Sequence, residues 1–281
     1  MPPTASTAGP PLSPVHFPIS GVDVSPVVPV VAGFVIACAT TPVGVSGAFL
    51  LLPFQFSVLN FTGPGVTPTN LLYNVISTPG GINQYRLQGN IDGPLVQAIL
   101  TGTIPGVIAG SLLRITVFAD PADFKVFVGF VLLVIGTHLV GRGLFGLGSP
   151  KREGATYRPH YVVVLGMGAG VIGGIYGISG GSIIAPTLVG VFGLSVRRVA
   201  SAALSATLIT SLAGVASFWI IAALDTGGEA ARTDWLLALL FGLGGALGGT
   251  VGARFSSLVP ERGLRVLLGV LALALAGFYI L

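Results

Sequence analysis

Two copies of one short motif are the residues of this chain best suited to binding a ligand. GVSGAFLLLP occupies residues 44–53 and GISGGSIIAP occupies residues 177–186, with the shared glycines, serine and proline in the same places. Glycines permit a break between two half-helices, and the N–H groups and dipole at a helix start bind anions without a cationic side chain. The motifs therefore predict an anion site. Its candidate residues are Gly44, Ser46, Gly47, Gly177, Ser179, Gly180 and Gly181.

The same glycines also have a purely structural interpretation. Small residues at regular spacing let membrane helices pack closely, and one copy of the motif alone would favour that explanation. Its recurrence at matching positions favours binding instead, because two helix breaks that meet at the midplane of a repeat commonly form the substrate site of a transporter. Neither copy matches the GxSxG nucleophile elbow, so no serine hydrolase is indicated.

A second set of polar residues lies at helical spacing in the third apolar segment and at the matching positions of the second half. A polar stripe on an apolar helix faces the bundle interior, where it binds either a substrate or a neighbouring helix. Hydroxyl and amide donors suit the oxygens of a sulfonate, a sulfite or a carboxylate. The stripe consists of Asn70, Asn74, Ser77 and Gln84, and its counterparts in the second half are Thr207 and Thr210.

Charged and metal-binding residues are scarce in the apolar segments. No Asp or Glu lies in a clear span, and His138 is the titratable group of note within the membrane. Arg114 and Arg254, which the repeat pairs, are predicted to be anchors at helix ends, and Arg86 is either an anchor or a substrate ligand. A single cysteine, Cys38, and the lack of a cluster of histidines and carboxylates leave no metal site. The sequence predicts neither an enzyme nor a cofactor.

The composition is typical of a membrane protein. Of the 281 residues, 52% are apolar and 8% are charged, against about 25% charged residues in soluble domains. Several apolar segments approach the roughly 20 residues that a helix needs to cross the bilayer. They lie at about 26–42, 45–60, 66–83, 94–113, 122–140, 160–176, 178–194, 198–224, 234–253 and 263–281. We therefore predict an all-α polytopic membrane protein. A nucleic-acid partner is not predicted, because the basic residues are scattered through loops.

The chain consists of two related halves. One constant offset pairs the motifs and the third segments, and a slightly larger one, after an insertion near residues 225–234, pairs Gly102 with Gly242. We predict a disordered tail at 1–25, a first transmembrane repeat at 26–140, a cytoplasmic linker at 141–159 and a second transmembrane repeat at 160–281. The predicted repeats have inverted topology, with broken or re-entrant helices that meet near the midplane.

The distribution of basic residues predicts the orientation in the membrane. The central linker carries Arg142, Lys151, Arg152 and Arg158, and short loops rich in such residues are cytoplasmic. An odd number of crossings per half also places the basic loop at 254–265 inside, whereas an even number would place it outside. The two repeats are therefore predicted to have inverted topology in the cytoplasmic (inner) membrane. Both termini are predicted to lie on its outer side. The first two segments of each half either cross the membrane or form a re-entrant hairpin. The number of crossings per half is odd in either case.

The chain resembles the sulfite exporter TauE/SafE family of membrane transporters. The resemblance lies in the two motifs, in PTNLLYNVISTPGG at residues 68–81 and in YRLQGNID at residues 85–92, and it extends over about residues 26–281. The chain departs from the family pattern at Gly93, where an aromatic residue is expected after Asp92. The resemblance implies movement of small anions, chiefly sulfite and organic sulfonates such as sulfoacetate, across the cytoplasmic membrane.

Three functions are consistent with these patterns. The leading one is a secondary transporter of a small sulfur-containing anion, in which the two repeats rock to expose a shared site alternately. A passive anion channel is the alternative, because glycine-rich repeats also line pores. A scaffold or an intramembrane enzyme would need a protein partner or a catalytic set that the sequence does not display. The predicted partners are a small anionic substrate and the lipid bilayer, and a homodimer is compatible with the sequence.

Overall fold

The computed structural model describes residues 13–43, 45–80, 82, 92–145, 157–190, 192–194, 196–224, 231–255 and 261–281. In the first half the helices are α1 (Val27–Thr40), α2 (Ala48–Ser57), α3 (Val66–Ser77), α4 (Gly93–Thr116) and α5 (Pro121–Phe145). In the second half they are α6 (Pro159–Tyr176), α7 (Gly180–Gly190), α8 (Val196–Ala223), α9 (Trp235–Phe255) and α10 (Glu261–Ile280). Each corresponds to one of the predicted apolar segments.

Six helices among the described residues are long and apolar enough to cross a membrane, namely α4, α5, α6, α8, α9 and α10. The prediction of an all-α polytopic membrane protein is confirmed. In contrast, α2 has 10 residues and α7 has 11, which corresponds to about 15 Å at 1.5 Å per residue. Because hydrocarbon is about 30 Å thick, a helix of this length ends within it.

The first helix of each half packs against the fourth helix of the other half, so α1 packs on α9 and α6 packs on α4. The third helix of each half likewise packs on the fourth helix of the other half, α3 on α9 and α8 on α4. The two last helices, α5 and α10, pack on each other. Every one of these pairs therefore has its counterpart when the halves are exchanged. This is the packing that a duplicated chain produces when its halves interlock. The inverted orientation of the halves and the domain boundaries stay predictions.

Rows of glycine allow the backbones of these helix pairs to touch. A Cβ atom added at Gly102 would lie 2.1 Å from the carbonyl oxygen of Val163, and one added at Gly244 would lie 2.0 Å from that of Val30. The same close approach recurs at each of the next two turns of α4 and α9. The two rows are Gly102, Gly106 and Gly110 in α4, and Gly244, Gly248 and Gly252 in α9. By its packing, Gly102 thus corresponds to Gly244.

Asp92 and Asp234, which cap α4 and α9, are separated in the sequence by the same number of residues as Gly102 and Gly244. Asp92 Oδ1 accepts from the N–H of Leu95 at 3.1 Å, and Asp234 Oδ1 accepts from the N–H of Leu237 at 3.0 Å. The predicted register, which pairs Gly102 with Gly242 and Arg114 with Arg254, is therefore wrong for these two helices. The insertion before α9 is longer than comparison of the two halves indicated, and Arg254 is not the counterpart of Arg114.

Residues 15–24, which the sequence placed in the disordered tail, form a β-hairpin. Strand β1 (Val15–Phe17) pairs antiparallel with β2 (Val22–Val24). Its inward-facing residues Phe17 and Val22 are buried in the main hydrophobic core. The composition hid this element, because two short strands rich in neighbouring Pro and Ser acquire their stability only from packing on the helices.

The hairpin is fixed to the start of α9 by one carboxylate. Asp234 Oδ2 accepts hydrogen bonds from the Ser20 hydroxyl at 2.7 Å and from the Ser20 N–H at 3.2 Å. The backbone N–H of Asp234 in turn donates to Thr69 Oγ1 at 3.0 Å. Asp234 thereby joins the hairpin, α9 and α3 at one end of the bundle.

Replacing Phe17 by Ala is expected to lower the apparent melting temperature of the detergent-solubilised protein. Phe17 is fully buried, and a Phe-to-Ala change in a core costs about 3–5 kcal/mol. Ile19 on the same hairpin is 44% exposed and provides the control, because its truncation removes little packing. Equal shifts for Phe17→Ala and Ile19→Ala would contradict the docked hairpin.

Candidate functional site

The polar face of α3 lies in the centre of the bundle. The helix packs on α2, α8 and α9, and Thr67, Asn70 and Asn74 on it are at most 1% exposed. The spacing of three and four residues places these side chains on one face. In an apolar interior, each of their polar atoms needs a hydrogen-bond partner. Most of those partners come from the two repeated motifs.

The amides of Asn70 and Asn74 hold the second motif against α3. Asn70 Nδ2 donates to the carbonyl oxygen of Gly177 at 3.1 Å, and Asn74 Nδ2 donates to the same oxygen at 3.5 Å. Asn70 Nδ2 also donates to the carbonyl oxygen of Ala48 at 2.9 Å, at the start of α2. A side chain of the first half therefore binds both motifs at once.

Ser46 and Gly47 position the first motif beside Asn74. The Ser46 hydroxyl donates to Asn74 Oδ1 at 2.8 Å and accepts from the N–H of Ala48 at 3.3 Å. Gly47 lies so close to α3 that an added Cβ would be 2.5 Å from the Tyr73 hydroxyl. In the first motif, the serine hydroxyl is thus already hydrogen-bonded to an acceptor of the protein.

The second motif has a different backbone, although its sequence is similar. Gly177 ends α6 with φ +92°, and Ser179 precedes α7 with φ +64°. Left-handed backbone is unusual for serine, and such strain occurs preferentially at functional sites. The Ser179 hydroxyl is fully buried and has no hydrogen-bond partner among the described residues. The start of α7 therefore presents a buried hydroxyl without a partner among the described residues.

Gly180 and Gly181 bring the start of α7 against two other helices. A Cβ added at Gly180 would lie 2.6 Å from Thr103 Cγ2, and one added at Gly181 would lie 2.7 Å from Thr207 Oγ1. Thr207 Oγ1 also lies 3.4 Å from the Ser182 hydroxyl. Any larger residue at either glycine would separate α7 from α4 or α8.

The remaining predicted residues are distributed unevenly. Thr210 Oγ1 lies 2.8 Å from Thr103 Oγ1 and so links α8 to α4. Ser77, at the end of α3, is half-buried and lies near the Tyr73 side chain of its own helix. The predicted residues Gly44, Gln84 and Arg86 lie outside the described residues. The structure therefore brings Ser46, Asn70, Asn74 and Gly177 into one bonded cluster.

Four buried polar residues near this cluster were not among the predicted site residues. Gln55 Nε2 donates to Asn70 Oδ1 at 3.2 Å, and Thr67 Oγ1 donates to the carbonyl oxygen of Ile175 at 3.0 Å. Thr67 precedes Asn70 by three residues, so helical spacing alone could have extended the polar stripe to it. No comparable signal marks the others. The four are Gln55, Thr67, Thr103 and Arg114.

Arg114 does not lie at a lipid or solvent interface, so its prediction as an anchor is wrong. The side chain is fully buried. Its Nε donates to Thr67 Oγ1 at 3.0 Å, and its guanidinium lies 3.7 Å from the centre of the Phe124 ring. These contacts replace water around the charge, which sequence spacing could not reveal.

An ion pair joins the starts of α4 and α8. Arg198 Nε donates to Asp92 Oδ2, and the guanidinium lies 5.6 Å from the centre of the Tyr157 ring. Burial and the Asp92 carboxylate raise the pKa of Tyr157, while the Arg198 charge opposes the rise. Asp92 thus caps one helix and binds another, much as Asp234 caps α9 and binds the hairpin.

Two cavities lie elsewhere in the molecule. One of 540 Å³ follows α4 from Gly93 to Pro105 and reaches Ser205 on α8. The other, of 420 Å³, lies between Trp219 and Trp235 beside the hairpin. Neither is lined by the bonded cluster of the two motifs. Within the described part of the chain, no group of three or more His, Cys, Asp or Glu residues could hold a metal ion.

The chain matches a known protein family. The family model described as Sulfite exporter TauE/SafE matches residues 30–279 of the 281-residue chain. The matched region includes both motifs, the polar face of α3 and Arg114. No curated protein and no solved structure matches the chain significantly. The predicted resemblance is confirmed by the family match.

Proposed function

This chain belongs to the sulfite exporter TauE/SafE family, and from that premise we propose that it is a secondary transporter of a small sulfur-containing anion. The proposed substrate is an organic sulfonate, such as sulfoacetate, or sulfite. In this proposal the site comprises the Gly44–Gly47 and Gly177–Gly181 motifs with Asn70, Asn74, Ser77, Thr207 and Thr210, and the chain takes no cofactor and performs no catalytic step.

The observation that carries the proposal is the unpaired Ser179 hydroxyl at the start of α7. It is fully buried, its backbone is left-handed, and it lies two residues after the glycine that the α3 asparagines bind. Buried hydroxyls are nearly always paired in native proteins, so an unpaired one at a helix start indicates a ligand site. The surrounding groups are hydroxyls, amides and backbone N–H groups, which suit an oxyanion better than a cation.

Alternating access is the mechanism that the hydrogen bonds of the cluster favour. The bonds from Asn70 and Asn74 to Gly177 connect a helix of the first half to the break of the second half. In our proposal, movement of one half relative to the other exchanges these bonds for bonds to the anion, so that the site opens to one side at a time. The short helices α2 and α7 carry the breaks.

The proposed orientation follows from the positive-inside rule. We place the protein in the cytoplasmic membrane, with the linker at 141–159 in the cytoplasm and both termini outside. In this orientation the Asp92–Arg198 ion pair lies at the cytoplasmic end, and the hairpin with Asp234 lies at the outer end.

Binding of an anion to the purified protein tests the proposal. A ligand present at one hundred times its dissociation constant stabilises a native protein by about 2.7 kcal/mol. We expect sulfite, sulfoacetate or taurine to raise the apparent melting temperature, and acetate and sulfate to have less effect. In proteoliposomes, saturable uptake with counterflow supports a transporter, whereas linear uptake without counterflow supports a passive channel. A protein that responds to none of these anions contradicts the proposed substrate class.

Replacing Ser46 and Ser179 by Ala is expected to weaken anion binding more in the double variant than in either single variant. A hydrogen bond to a charged group contributes about 1.5–3 kcal/mol, or roughly tenfold to a hundredfold in affinity. The matched control is Ser217→Ala, because the Ser217 hydroxyl on α8 donates to the carbonyl oxygen of Ala213 on its own helix. Small effects equal to that control would show that the motif serines only pack.

A further inference from the structure

Arg114 is a buried cation at the end of α4. Its side chain has no exposed surface, although it belongs to the last turn of a helix that is long enough to cross the membrane. A charged group at such a position is unfavourable unless other groups solvate it, and charged residues within membrane spans usually mark functional sites. The question is therefore what the guanidinium binds.

The protein satisfies only part of the guanidinium. Nε donates to Thr67 Oγ1 at 3.0 Å, and Nη1 donates to the carbonyl oxygen of Phe118. The Phe124 ring covers one face of the group at 3.7 Å. Nη2 is buried and has no hydrogen-bond partner among the described residues. A guanidinium has five N–H donors in a planar fork, so unused donors of known direction are left on Nη2.

No carboxylate neutralises this charge in the described part of the chain. The ion pairs there join Arg198 to Asp92 and His16 to Asp23. The counter-ion of Arg114 is therefore not a described side chain.

Arg114 is connected to the second motif through Thr67. Its partner Thr67 donates to the carbonyl oxygen of Ile175, two residues before Gly177. A Cβ added at Gly177 would lie 2.8 Å from the carbonyl oxygen of Thr67 and 3.2 Å from Asn70 Cβ. One turn of α3 thus connects the guanidinium to the glycine that precedes the free Ser179 hydroxyl.

We propose that Arg114 is the residue that makes this site select a negatively charged ligand over a neutral one of the same shape. The Nη2 donors bind one oxygen of a sulfonate or sulfite that has entered beside the Gly177–Ser179 break, and the anion supplies the missing counter-charge. This role rests on the proposed function and adds to it the group that provides the charge selectivity.

A structural role makes a different prediction. As a cap, Arg114 would only hold the carbonyl oxygen of Phe118 and the Thr67 hydroxyl, so its replacement would lower stability without changing ligand selectivity. Methanesulfonate and dimethyl sulfone separate the two roles, because they differ by one negative charge and have nearly the same shape. Binding of both probes is measured by calorimetry on detergent-purified protein, alongside the melting temperature without ligand.

We expect the wild-type protein to prefer methanesulfonate to dimethyl sulfone by at least tenfold. Arg114→Gln is expected to weaken methanesulfonate binding at least tenfold and to abolish that preference. Arg114→Lys keeps the charge on a single nitrogen, so we expect weaker binding with the preference retained. Arg254→Gln is the control, since Arg254 is an exposed arginine in the last turn of α9 and should leave both affinities unchanged.

Each result distinguishes this role from the proposed function. A wild-type protein that binds neither methanesulfonate nor any anion of the sulfur panel overturns both. A wild-type protein that prefers methanesulfonate, together with an Arg114→Gln protein that keeps the preference, overturns only the role of Arg114. If Arg114→Gln does not fold, unchanged methanesulfonate affinity in Arg114→Lys at a lower melting temperature identifies a structural arginine and overturns the proposal.

Discussion

Gly177→Ala is expected to abolish anion binding and transport while leaving a protein that still inserts in the membrane. Gly177 has φ +92°, and its added methyl group would lie 2.8 Å from the carbonyl oxygen of Thr67. The left-handed conformation alone costs an alanine about 1–2 kcal/mol. The clash adds to this cost, because the methyl group meets α3 at the turn that carries Asn70. The α6–α7 break must then move away from the asparagines that hold it.

Gly168→Ala in the same helix α6 is the matched control. An added Cβ there would meet no atom within 4 Å, and Ala is favoured over Gly inside a helix by about 0.8–1.0 kcal/mol. We expect this variant to bind sulfite as the wild-type protein does and to melt at the same temperature or higher. Sulfite titration and proteoliposome uptake measure both variants. Normal uptake by Gly177→Ala would mean that the conformation of the break is unimportant.

Asn70→Leu is expected to destabilise the protein and to remove anion binding. Asn70 is fully buried and makes three hydrogen bonds, to Ala48, Gly177 and Gln55. Leucine has the same branched shape and the same number of side-chain heavy atoms but pairs with none of them. Each buried polar group left without a partner costs about 1–3 kcal/mol. Gly177 keeps the longer bond from Asn74, so the expected loss comes mainly from the other two partners and from the position of α2.

The measurement for Asn70→Leu is the apparent melting temperature with and without sulfite. Thr101→Val is the control, because Thr101 on α4 is exposed and donates to the carbonyl oxygen of Gln97 on its own helix. We expect a clear decrease for Asn70→Leu, no further stabilisation by sulfite, and little change for Thr101→Val. A stable Asn70→Leu protein that still responds to sulfite would contradict the central role of this amide.

Hydrophobic patterning was sufficient to predict the helices, because the bilayer imposes both their length and their apolar surface. The polar stripe of α3 was predictable for a related reason, since Asn70 and Asn74 stand out in an apolar segment at helical spacing. Gln55 was harder to find because it interrupts a short segment once, without a periodic partner. Its importance comes from Asn70, which it meets only in the folded protein.

Tertiary contacts account for the errors. Arg114 has the position of an interfacial anchor in the sequence, but Thr67 and Phe124 from two other helices surround it. The hairpin at residues 15–24 has the composition of a disordered segment, and Phe17 is buried because the helix bundle offers it a pocket. The difference between Ser46 and Ser179 is also invisible in the sequence, because similar motifs adopt different backbone conformations.

The glycine rows of α4 and α9 have a consequence for how the protein is made. Each row packs on the first helix of the other half, so the row at Gly102, Gly106 and Gly110 lacks its partner until α6 has been synthesised. Conversely, the α9 row that packs on α1 is synthesised only near the end of translation. Neither half is therefore a self-contained folding unit. We therefore expect the newly inserted first half to lack its closest backbone contacts until the helices of the second half have been inserted.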